Sequence, residues 1–202
     1  MKVPDFLLVG AQGMTLYRFA ASFVIYSMMG WLVESIYMSI CEKKIVNRGF
    51  ARGPFCPIYG FGATIGCIIL APTTRSFLLL YIASAVSATV FEYLAGRMMI
   101  KALGSLWWDY NEKPYNFQGI ICLESTLAWG FYGIIVVGFF NPWLMNFIES
   151  VDSVKMTRFI EIVLAIAVID YIIRLAEIFK KPLARVRDTA MEAYKNFRSR
   201  WS

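Results

Sequence analysis

Histidine is absent from the 202 residues, and charge is scarce, with Asp, Glu, Lys and Arg together making up 17% of the chain. Without imidazole the chain has neither the usual general base near neutral pH nor the commonest metal ligand. Soluble domains carry about a quarter charged residues, so this scarcity, set beside 58% hydrophobic residues, excludes an ordinary globular fold. Only four cysteines occur, Cys41, Cys56, Cys67 and Cys122, without a CxxC spacing. They suggest neither a disulfide framework nor a zinc site and read as packing residues. There is no GxxxxGK[ST] loop, so the usual cradle for nucleotide phosphates is missing. No nucleophile with a matching base and no metal-ligand spacing stands out, so the chain is expected to be no enzyme and to use no metal or cofactor.

What is present is a series of long apolar runs. A helix needs about 20 mostly apolar residues to cross a hydrocarbon layer of roughly 30 Å. Runs at about 15–40, 55–71, 75–100, 118–140 and 157–180 meet that requirement. The expected fold class is therefore all-α: a polytopic membrane helical bundle of about five transmembrane helices over residues 1–180, followed by a basic tail, 181–202. Ala71-Pro72-Thr73-Thr74 reads as a tight turn that makes a hairpin of the second and third runs. The stretch Met1 to Met14 lacks the basic start and apolar run of a cleaved signal, so the first span is expected to stay.

Positive charges set the orientation, because Lys and Arg are retained in the cytoplasm. One side of the five spans receives Lys43, Lys44, Arg48, Arg52, Arg97, Lys101, Lys113 and the basic residues from Lys180 onward; the other receives only Lys2, Arg18, Arg75, Lys155 and Arg158. The N-terminus is thus expected outside and the C-terminus in the cytoplasm, in a multi-pass protein of the inner membrane. The net charge of +6 lies beside apolar helices, a pattern that fits anionic lipid and not nucleic acid. In the tail, Leu183, Val186, Ala190, Tyr194 and Phe197 recur at spacings of three and four between basic residues. The tail reads as an amphipathic helix on the inner membrane surface, or as a solvated continuation of the fifth span.

A weak internal repeat is visible. Gly49 precedes Gly60-Phe61 as Gly119 precedes Gly130-Phe131, and each set follows a helix that holds a glutamate, Glu34 or Glu92. Two helices per unit would make the units parallel.

Carboxylates inside the apolar runs are the most specific feature. A charge at the bilayer centre costs about 2.5 to 3.5 kcal/mol on insertion scales, so such groups should face the bundle interior and find partners. Glu34, Glu92 and Glu124 all fall in the cytoplasmic half, at the level of Arg48, Arg52 and Arg97. An interlocked Glu and Arg cluster is expected, as a solute or ion site or as a structural lock on helix order. In the fifth span Asp170, Arg174 and Glu177 share one face and read as a structural ion pair. The loop prolines and glycines Gly49, Gly53, Pro54, Pro57, Gly60 and Gly62 suggest either a re-entrant segment or close helix packing. The stretch Leu106 to Phe117 has the aromatic and polar mixture of a membrane boundary, as an anchor or as a docking surface.

At these residues the sequence resembles a family of small bacterial membrane proteins described as ABC-transporter type IV permeases, the CmpB-like group. The resemblance rests on Gly30-Trp31-Leu32-Val33-Glu34, Asn47-Arg48-Gly49-Phe50, Gly53-Pro54, Pro57-Ile58-Tyr59-Gly60, Trp108-Asp109-Tyr110 and Gly119 through Glu124, over roughly residues 15–140. It implies a permease-like transport component working with a separate ATPase subunit. A non-transporting adaptor or scaffold, with the cluster as a lock, is the alternative. A bundle this small would often need a homo-oligomer or partner to enclose a path.

Overall fold

A computed structural model describes residues 14–50, 52–73, 75–104, 106 and 108–199, with side chains given as far as Ile178 except for Pro72. The chain is built from five helices and one small hairpin. Helix α1, Leu16–Glu42, starts where the Thr15 hydroxyl accepts from the Arg18 amide at 3.0 Å, and ends at Lys43 in the left-handed region with φ 51°. Helix α2, Pro57–Leu70, opens on a proline, which is tolerated in the first turn because its missing amide would have no partner there. After a turn at Ala71–Thr73, helix α3, Phe77–Leu103, is capped by Ser76 and closed by Gly104. Strands β1, Asn116–Phe117, and β2, Ile121–Cys122, pair antiparallel, and helices α4, Leu123–Ser150, and α5, Ser153–Ser199, complete the chain.

Helices α1, α3 and α4 are long and apolar enough to cross a membrane. The core gathers residues from all five helices: Ala21 and Val24, Cys67 and Leu70, Leu80, Val137 and Leu144, and Ile160. The outer surface stays apolar, with Leu78, Val86, Ile135 and Ile162 all more than half exposed, as expected where lipid replaces water around the bundle.

The two halves of the repeat are built alike. In the first unit α2 lies antiparallel to α1, with Tyr59 beside Glu34, Phe61 against Phe23 at 4.6 Å, and Gly60 so close to Ser27 and Phe23 that a methyl group there would collide. In the second, α4 lies antiparallel to α3, with Trp129 beside Glu92, Phe131 against Tyr81 at 5.0 Å, and Gly130 pressed on the Tyr81 ring. The hairpin between α2 and α3 then makes α1 and α3 run in the same direction.

With 14 residues α2 rises only about 21 Å, short of a full crossing. The missing length is supplied by residues 44–50 and 52–56, which run back along α1 without helical structure. Their register is marked by Val46 N on Ser39 Oγ (3.0 Å), Arg48 N on Ser35 Oγ (3.3 Å), and Cys56 N on the Ser27 carbonyl (3.0 Å), near the middle of α1. Non-helical backbone at membrane depth must be covered by protein and supplied with partners. Helix α5 does part of this: Asp170 accepts the Gly53 amide at 2.7 Å, and the Tyr171 hydroxyl donates to the Phe55 carbonyl at 3.3 Å.

Two helices run past the ends of their apolar runs. The fourth apolar run ends near residue 140, and an interior proline such as Pro142 removes a ladder hydrogen bond. Here Ile134–Phe140 widens into a π-helical segment, the Asn141 amide donates to the Val136 carbonyl, and the helix continues to Ser150. The widened turn moves the ladder out of register, so Pro142 enters as the start of a new α-helical stretch. The fifth helix likewise passes Lys180 and Pro182 without a break and ends at Ser199. The expected basic and apolar faces of the tail belong to side chains outside the described ones.

Candidate functional site: two carboxylates at the loop end

The ends of α1 and α3, the starts of α2 and α4, and the middle of α5 meet at one end of the bundle. Each unit places one glutamate there, several turns inside its helix. Glu34 accepts from Arg48 Nε on Oε1 at 3.1 Å and from the Tyr59 hydroxyl on Oε2 at 2.8 Å. Its side chain is 25% exposed and that of Arg48 26%. The arginine reaches it because Ser35 and Ser39 hold the returning segment against α1, and because Gly30 leaves room for the Tyr59 ring.

Glu92 is held differently. Only 6% exposed, it accepts from the Tyr110 hydroxyl at 3.1 Å and from the indole nitrogen of Trp129 at 3.0 Å. Ser125 Oγ lies 3.2 Å from the same carboxylate and 3.0 Å from the Cys122 carbonyl, so its one proton serves one of them at a time. Among the described residues no Lys or Arg pairs with Glu92. Burial, followed by the adjacent Glu92, pushes the Tyr110 hydroxyl up, so it remains a proton donor.

Of the six residues expected in one interlocked cluster, only Glu34 and Arg48 meet directly. Arg52 reaches α5 and pairs with Glu177 at 2.6 Å. Glu124 lies at the surface and accepts from Lys113 Nζ at 2.8 Å. Arg97 is exposed and makes no ion pair among the described residues. In α5, Arg174 pairs with Glu177 at 3.2 Å, whereas Asp170 turns to the Gly53 amide.

Sequence reasoning missed the neutral donors. Tyr110 had been grouped with boundary aromatics, and neither Trp129 nor Ser125 was singled out. The signal was available in the repeat: Tyr59 and Trp129 each stand immediately before the repeated Gly-Phe pair. Arg48 precedes Gly49 as Gln118 precedes Gly119, so the place of the arginine is taken by a neutral side chain, which accepts from Tyr93 and leaves Glu92 alone.

A family model described as "Putative ABC-transporter type IV" matches residues 21–175. The chain belongs to this family. The matched stretch covers both units and continues into α5 past Asp170 and Arg174, well beyond the first two thirds of the chain in which the motifs concentrate. With three apolar helices of spanning length in a transporter family, this is a membrane protein. No curated protein and no solved structure matches it.

Chemically, the two stations differ in what they leave unsatisfied. The Glu34 charge is met by a guanidinium and a hydroxyl. Among the described residues the Glu92 carboxylate receives hydrogen bonds but no positive charge, an arrangement suited to taking up a proton or a small cation. Among the described residues no three Cys, Asp or Glu side chains converge as a metal site would require.

Proposed function

We propose that the protein is the membrane-embedded, permease-like component of a transporter, multi-pass in the inner membrane, with the loop end and the C-terminus in the cytoplasm. Glu92 is its working carboxylate, and Glu34 with Arg48 is the charge-balanced counterpart in the other unit. The observation that carries this reading is a buried glutamate with neutral donors and no counter-charge, in a chain of a transporter family. An uncompensated charge at this depth is costly and is expected where an ion or a polar solute completes the site. The orientation rests on the basic residues that cluster at the loop end. A separate ATPase subunit would supply the nucleotide chemistry for which this chain has no phosphate loop.

The test begins with the tagged full-length protein purified in mild detergent, where an ATPase in fixed ratio is expected. In that complex Glu92→Gln should leave the companion bound and thermal stability near that of wild type, while abolishing the transport-coupled change in ATP hydrolysis. A variant that keeps full coupling, or loses only stability, would assign Glu92 to the structural lock. Recovery of the chain without any ATPase would remove the ATP-driven reading.

A further inference from the structure

The long fifth helix carries a surface that the bundle does not use. Met156, Ile160 and Ala167 are buried against the core. The opposite side presents Ile162, Ile169 and Ile172, each about 60% exposed, together with the exposed Ala165 and Ala176. These five alternate at spacings of three and four, the a and d positions of a heptad. The spacing does not stop where the bundle does. It continues without interruption through Phe179, Leu183, Val186, Ala190, Ala193 and Phe197, all apolar, while Lys181, Asp188 and Lys195 occupy the f positions on the far side of the helix.

Lipid accounts for the first part of this stripe and not for the second. Helix α5 has 47 residues, about 70 Å at 1.5 Å per residue, against a hydrocarbon thickness of roughly 30 Å. Its ion pair with the loop end is made at Glu177, and 22 residues of unbroken helix remain between there and Ser199. A helix that lay down on the membrane surface would have to turn sharply near Lys180, yet α5 has no break there. An apolar seam with a strict seven-residue repeat, held over five heptads and entering water, is the signature of a helix that supercoils with another of its kind.

We infer that the seam from Ile162 to Phe197 is the surface along which a second copy of this chain docks, α5 against α5 in parallel, as a coiled coil that begins in the membrane and ends in the cytoplasm. Two copies inserted with the same topology can only meet in parallel. In that arrangement Lys180 and Arg187, at e positions, stand against the uncharged g residues Leu175 and Pro182 of the other copy, so no like charges are forced together. The alanines at 165 and 176 let the helices approach closely within the bilayer, as small residues do at membrane helix interfaces. Pro182 occupies a g position, outside the seam.

The experiment uses the full-length chain in native membranes, with the exposed Cys41 replaced by serine and the three buried cysteines left in place. Ala190→Cys and Ala193→Cys, introduced singly, should each give a crosslinked pair of chains on mild oxidation, whereas Asp188→Cys and Lys195→Cys should give none. Introducing Val186→Asp together with Ala190→Asp should halve the particle mass in detergent without moving the thermal transition of the bundle. The inference is overturned by crosslinking that ignores heptad position, by labels at 190 and 193 that are shielded by lipid and never crosslink, or by a different protein captured at the seam. A paired mass that survives the double aspartate variant overturns it as well.

Discussion

The two units share a plan and diverge most in what meets the glutamate. Both set a glutamate inside the first helix, an aromatic donor before the repeated glycine of the second, and a connecting segment folded back toward that glutamate. The first unit then supplies Arg48, and the second has Gln118 at the matching place before its glycine. The neutralised carboxylate is a quarter exposed, whereas the one without a cation is almost fully buried. That order is the reverse of what stability alone would favour, because the cost of a bare charge rises with burial. Glu34 and Arg48 join the returning segment to α1, whereas Glu92 is held by neutral donors alone among the described residues.

Removing the difference should have the largest effect. Arg48→Met leaves Glu34 with Tyr59 alone, so the first unit becomes a second station without a counter-charge. Breaking one side of a buried pair costs 3–5 kcal/mol in a fully enclosed site. With a quarter of each side chain exposed, about 2 kcal/mol is the expected loss, read as a lowered thermal transition in detergent. Adding Glu34→Gln removes the stranded charge and should restore most of the loss. If the double variant is no better than the single one, Arg48 acts through packing and the comparison fails.

Exchanging the aromatic donors should sharpen it at a smaller scale. Trp129→Phe removes the indole hydrogen bond from a carboxylate that has only neutral partners. Tyr59→Phe removes a hydroxyl from one that keeps its arginine. Hydrogen bonds within membranes average about 0.6 kcal/mol and reach about 1.7, and the upper part of that range is expected for Trp129→Phe and the lower for Tyr59→Phe. Equal losses from the two changes would mean that Arg48 does nothing to compensate.

The helices were legible because apolar runs of spanning length have few other readings, and the repeat was legible because Gly60-Phe61 and Gly130-Phe131 mark the same close approach twice. The site was legible in its carboxylates and not in their partners. Arg48, Arg52 and Arg97 looked interchangeable in the sequence, since each falls at the right depth. Which one reaches Glu34 depends on how residues 44–50 return along α1, a path pinned by the hydroxyls of Ser35 and Ser39, residues with no outward mark of function. The true length of α4 was not legible in the apolar run that ends near residue 140, because the helix carries on past Pro142 through a π-helical turn that sequence periodicity does not reveal.

The smallest expected effect separates the two connecting segments by pH. In the second unit Lys113 donates to Glu124, which ties the segment between α3 and α4 to the start of α4. The hydrogen bond and then the charge of Glu124 raise the Lys113 ammonium above its ordinary 10.5. A cation whose folded pKa is raised stabilises fully below its unfolded value, and the contribution disappears as pH climbs through the folded one. The tie should therefore be intact below about pH 10.5 and release above it, whereas a guanidinium does not deprotonate in that range. Limited proteolysis carried out in alkaline buffer should show faster cutting between residues 109 and 121 and no change at 44–50, and Lys113→Arg should abolish the alkaline step. A step that persists in Lys113→Arg would place the release elsewhere, and one that appears equally in both segments would mean that they open together and that the units are coupled more tightly than their separate partners imply.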